Sequence, residues 1–194
     1  MYDGAAGTYL SIDCNAPNGV VDLEANARSG DYPALTFTTG ASERMRISGA
    51  GLITSVSLGS NNTRFGANAG ALYQSGGNNN TVYGNEAGND ITTGDENAYF
   101  GYLAGDDSST GSQNVAIGSQ AMSAGSSLSD NTCVGRSAGE SLNNGSNTAI
   151  GTNALFAGSN TAGVVAVGSQ ALKNHEVGSG ALTGNVAVGY RAAF

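Results

Sequence analysis

The sequence predicts an all-β chain in two parts, a small N-terminal β module followed by a parallel β-roll or β-solenoid rod. Three observations lead there. One eight-residue phrase recurs along most of the chain, its apolar slot holds strand-forming residues, and the composition suits a thin stack better than a sphere. Of 194 residues 31 are Gly, two are Pro and none is Trp; only 11% are charged, where about a quarter is usual. A core drawn mainly from Ala, Val and Ile cannot fill a large globule. It can fill a narrow coil repeated many times.

Residues 1–56 lack the repeat. Short β-like runs at 9–12, 20–23, 34–38, 44–47 and 52–56 are separated by turn signals such as Asn18-Gly19 and Gly49-Ala50-Gly51. They predict a β cap or connector module, with a boundary near Ser57 and the rod over residues 57–194.

The repeat has the form N-x-x-Φ-G-x-x-A, with Φ apolar. Nine copies begin at Asn62, Asn80, Asn97, Asn114, Asn131, Asn147, Val164, Asn174 and Asn185. The glycines are Gly66, Gly84, Gly101, Gly118, Gly135, Gly151, Gly168, Gly178 and Gly189. Gly straight after a strand suits a corner with positive φ or a close backbone neighbour. The Ala three residues later marks an inward position with room for a methyl group. Asn at the head suits a turn, and stacked Asn side chains can bond up a ladder. Period-two alternation groups Φ with the residue two before it, as in Val115 and Ile117. On this basis Tyr83 and Phe100, both in the Φ slot, are expected to fill wider coils. Ala149, Ala166, Ala187 and Cys133 form a second, small apolar face expected to meet a copy of the chain.

Copies start 16–18 residues apart, falling to 10–11 around Asn174 and Asn185. The extra residues, as in Asp106-Asp107-Ser108-Ser109-Thr110-Gly111, predict loops on a fixed stack. Each coil is expected to be two short strands and a loop, and nine coils at about 4.8 Å give a rod of about 40 Å.

Chemistry-bearing patterns are sparse. A net charge of −8 with seven scattered basic residues argues against nucleic acid. Cys14 and Cys133 have neither metal spacing nor a His cluster beside them, and inert thiols are expected. His175 is the single histidine, at the second position of its repeat, so a solvated or ladder residue is expected and a two-His metal site would need several chains. Asp90, Asp95 with Glu96, and Asp106 with Asp107 suggest solvated loops over a carboxylate pair of a polysaccharide-cleaving spike. No catalytic residue, metal site or cofactor is expected. Nothing approaches a membrane span, and Met1-Tyr2-Asp3-Gly4 does not open a signal peptide. Sugars stack on aromatic rings beside Asn and Asp, so Tyr99, Tyr102, Asp106 and Asp107 are the candidate receptor-binding residues. An ice-binding solenoid needs flat Thr rows, and the slot before Φ (Arg64, Val82, Tyr99, Glu176) varies too much to supply one.

Asn114-Val115-Ala116-Ile117-Gly118 and Asn185-Val186-Ala187-Val188-Gly189 resemble the NSVAIG-type repeat in head domains of trimeric autotransporter adhesins. Asn147-Thr148-Ala149-Ile150-Gly151 with Ala154-Leu155, and Val188-Gly189-Tyr190, are similar to repeats of bacteriophage tail fibres. Glu43-Arg44-Met45-Arg46-Ile47 followed by Gly51 resembles a segment common in such fibres. The resemblance implies a homotrimeric β-roll and a fibre of a phage virion, working outside the cell. Its partners would be copies of itself, other virion proteins and a bacterial surface glycan or protein. A bacterial surface-adhesin head is the alternative. The periods are longer and less regular than the adhesin repeat, and no membrane anchor or chaperone-like domain follows, so a short fibre or a fragment is expected.

Overall fold

In the computed structural model the chain divides into two compact units, Met1–Val56 and Ser57–Phe194. The structure describes residues 61–73, 76–157, 162–174 and 184–193 in full, with the backbone of five strands ahead of them. In the first unit, β1 (Tyr9–Asp13) and β2 (Asp22–Asn26) form an antiparallel pair. β3 (Leu35–Thr39), β4 (Ser42–Ile47) and β5 (Ile53–Ser55) form an antiparallel three-stranded sheet, its register shifted between Phe37 and Thr38. Each strand overlaps one of the five expected runs.

The second unit is a β-solenoid of about seven turns. Its strands are β6 (Thr63–Phe65), β7 (Thr81–Tyr83), β8 (Ala98–Phe100), β9 (Val115–Ile117), β10 (Thr132–Val134), β11 (Thr148–Ile150), β12 (Val165–Val167) and β13 (Val186–Val188). All eight lie parallel in one sheet, in sequence order, with repeat positions aligned: Val115 on Thr132, Ala116 on Cys133, Ile117 on Val134. Parallel pairing follows from coiling, because each strand returns to the same side after one full turn.

The glycine after each strand is required twice over. At Gly118 φ is +131°, and a Cβ there would lie 2.6 Å from the carbonyl oxygen of Gly135 in the next coil. Heading each coil, the Asn side chains form the expected ladder inside the fold. Asn114 donates its backbone N–H and its amide to Asn97 Oδ1 at 3.0 and 3.1 Å, and its own Oδ1 accepts the N–H of Asn131. The run continues from Asn62 to Asn147 and ends where Val164 gives only its N–H to Asn147 Oδ1.

Three expectations need correction. The leg after the glycine is not a second strand. Residues on both sides of its Ala, such as Gln120 (φ 60°) and Met122 (φ 50°), are left-handed, which bars extended backbone. The leg still bonds from coil to coil: Gln120 N–H reaches back to Tyr102 O, and Met122 N–H forward to Ala138 O. Secondly, β12 pairs directly with β13, so the copy at Asn174 places no strand between them. Gly178 and His175, like Cys14, lie outside the described residues. Eight strands set the length of the sheet at about 34 Å.

Thirdly, the two strand faces are reversed. The middle residue points inward: Val82, Tyr99, Ala116, Cys133, Ala149 and Ala166 are fully buried. The Φ residues and those two before them point out. The reason is the width of the coil. The opposing leg brings Ala121 or Ala154 against the strand, and the narrow interior between them takes one residue from each strand, the middle one.

The size of the residue in the inward slot is not arbitrary. Where Gly follows the buried Ala of the opposing leg (Gly70, Gly88, Gly105, Gly139), the inward residue is Arg64, Val82, Tyr99 or Cys133. Where Met122, Leu155 or Leu172 follows it, the inward residue is Ala116, Ala149 or Ala166. The larger residue of each pair stands on one side of the interior only. Tyr99 fits because a Cβ on Gly105 would meet its ring at 2.5 Å.

Candidate functional site

The sheet's outer surface carries two residues from each of its eight strands. One row is Thr63, Thr81, Ala98, Val115, Thr132, Thr148, Val165 and Val186; the other is Phe65, Tyr83, Phe100, Ile117, Val134, Ile150, Val167 and Val188. No member of either row is charged. Exposure in the Φ row ranges from 69% at Val188 to 39% at Ile150 among its large exposed members. At one end the rings of Phe65 and Tyr83 stack at 4.9 Å and 10°, and Tyr83 stacks on Phe100 at 6.2 Å and 14°. Parallel sheets are normally covered on both faces, and among the described residues this one is covered on one side only.

Tyr99, taken from the sequence as a receptor contact, lies in the core. Its hydroxyl donates to Ser108 Oγ at 2.9 Å, and burial raises its pKa well above the usual phenol value. Tyr102 is half exposed and Asp107 exposed. Asp106 is half-buried; its Oδ1 is enclosed without a hydrogen-bond partner. Burial, then the charges of Asp107, Asp90 and Glu86, push its carboxyl up to about 6. The structure therefore leaves Tyr102 and Asp107 at the surface and removes Tyr99 from the proposed patch. Tyr83 and Phe100, expected inside, stand on the outer face.

Other carboxylates tie coils together. Asp95 Oδ1 accepts the backbone N–H and the side-chain amide of Asn78 at 2.7 and 3.1 Å, and Glu96 Oε2 accepts from Gln113. Among the described residues no three His, Cys, Asp or Glu side chains come together as a metal-binding group. Cys133 is buried, and burial pushes its thiol up to about 12, a poor nucleophile at neutral pH. Among the described residues no helix is long and apolar enough to cross a membrane.

What the sequence left unseen is the uncovered face. Its signal was the rule that Φ accepts Phe, Tyr, Ile and Val alike, while the slot before it trades volume with the residue after the Ala. A tightly packed interior restricts size; an outer row does not. The slot before Φ is not the row that an ice-binding surface would use, since Arg64, Val82 and Tyr99 are interior or half-buried. The correct row still mixes Thr with Ala and Val.

In comparisons with known proteins, no family model matches the chain, and neither a curated protein nor a solved structure does.

Proposed function

We propose that this chain is a structural and adhesive module of a virion fibre, of the phage tail-fibre type, in which three copies lie side by side as a stiff spacer. The observation that carries the reading is the uncovered, uncharged face of the solenoid, about 34 Å long. A chain of net charge −8 repels its copies everywhere except where it carries no charge, and this face is such a place. A second copy offers the same rows of Thr and apolar side chains. The resemblance of the repeat and of residues 43–47 to fibre sequences supports the virion setting. Residues 1–56 serve as the connector, and loops between coils meet the bacterial surface, where weak contacts multiply by the number of chains.

Light scattering on the purified protein tests the assembly. A mass three times the chain's 19.2 kDa is expected. A single-chain mass at micromolar concentration sinks the reading.

A further inference from the structure

Successive Asn heads are 17 residues apart from Asn80 to Asn131, but Asn131 and Asn147 are separated by 16. This shortening changes the loops. In the regular coils the Asn amide reaches forward to a carbonyl 14 residues on: Asn80 to Gly94, Asn97 to Gly111, Asn114 to Leu128. Asn131 instead turns back to Ser129 O at 3.1 Å, and Asn147 donates to Asn144 O at 3.0 Å across the end of the shortened loop. The preceding loop pair is closed along its middle, with Thr110 N–H on Ser126 O and Thr110 Oγ1 on Ser127 Oγ. Between the loops at 124–130 and 140–146 the backbone bonds lie at the ends, Ala124 N–H to Glu140 O and Ser146 N–H to Ser129 O. The middle stands open as a cleft of about 520 Å³.

The lining has a definite chemistry. Ser127, Ser129, Asn143 and Asn144 supply hydroxyl and amide groups, and Leu128 and Leu142, both buried, give the cleft an apolar floor. Asp130 is the one ionisable residue among the lining residues, and it is acidic. A phosphate or sulfate finds no cation here, and a nucleobase finds no aromatic ring. A neutral sugar ring has what the cleft complements, an apolar C–H face and a rim of hydroxyls that both donate and accept.

We propose that this cleft binds a neutral saccharide. The proposal deepens the adhesive half of the function above, moving the contact from Tyr99, Tyr102, Asp106 and Asp107 to the 124–130 and 142–146 loops. No lining residue belongs to the strand face, so the cleft and the assembly can fail separately.

The test is saturation-transfer NMR on the intact protein with glucose, galactose, mannose, N-acetylglucosamine and rhamnose, each at millimolar concentration, and with glucuronate as the anionic probe. Transfer to at least one neutral sugar is expected, stronger than to glucuronate, and at least tenfold weaker in Ser127→Trp, whose exposed side chain would fill the opening at an unchanged Tm. No transfer to any sugar, equal transfer to glucuronate, or transfer indifferent to Ser127→Trp overturns it. Sugar binding by a protein of single-chain mass upholds the cleft and sinks the fibre assembly. A threefold mass with no sugar binding does the reverse.

Discussion

At the scale of single residues, Asp106 gives the fold a pH dependence whose sign is fixed by its surroundings. Its carboxyl rises from an ordinary 3.8 to about 6, because half-burial and the neighbouring Asp107, Asp90 and Glu86 disfavour the charge. The folded chain then binds this proton more tightly than the unfolded chain, so stability falls as pH rises through about 6. Asp106→Asn is expected to raise the Tm at pH 8 and to leave it unchanged near pH 4, as thermal melts at the two pH values will read. An equal shift at both would mean that charge is not the cause. Gly118 is the opposite kind of residue, fixed by backbone and not by charge. Gly118→Ala forces a Cβ against the Gly135 carbonyl at a φ unsuited to L residues, and a loss above about 4 kcal/mol in chemical denaturation is expected. This role was legible in the sequence, since Gly follows Φ in every copy. The left-handed residues flanking the Ala were not, because Gln120 and Met122 carry no mark of the φ they adopt.

At the scale of the coil, the sequence contained more than its invariant letters. The heads, glycines and alanines could be read directly because each answers a local requirement: a ladder bond, a close backbone approach, a methyl-sized space. The inward slot could not be read alone, because its size depends on a residue six positions on, across the interior. Arg64 with Gly70, Val82 with Gly88 and Tyr99 with Gly105 stand against Ala116 with Met122 and Ala149 with Leu155. This trade can be tested within one coil. Ala116→Val overpacks a closed interior, at a cost of about 1–3 kcal/mol. Met122→Gly empties it, at about 2–5 kcal/mol. The double variant is expected to cost less than the two together by about 0.5–3 kcal/mol, read from denaturant midpoints. Strict additivity would show that the two positions do not share space. The same coupling explains why the faces were assigned backwards from sequence. Small residues look like a contact surface for a neighbour when the partner filling the space lies in the same coil.

At the scale of the whole rod unit, two adjacent residues of one strand separate the interior from the outer face. Ala149 is fully buried, while Ile150 beside it is exposed in the single chain, and both lie in β11. Ala149→Glu would place a carboxylate at a fully buried position, in the interior shared with the buried Ala154 and Leu155. A loss above about 4 kcal/mol is expected, seen as lost β circular dichroism or failure to fold. Ile150→Glu meets no such barrier within its own coil. Its effect on the folding of one chain should stay within about 0.5 kcal/mol, because it leaves the interior untouched. In the proposed assembly the same change would bring like charges together where the face has none, with burial costs added. The expected result is a folded protein of single-chain mass by light scattering, its circular dichroism unchanged. If the unaltered chain has the proposed threefold mass and Ile150→Glu keeps it, copies do not meet on the strand face. If it unfolds the chain, folding and assembly are one event, and the rod has no stable form outside the fibre.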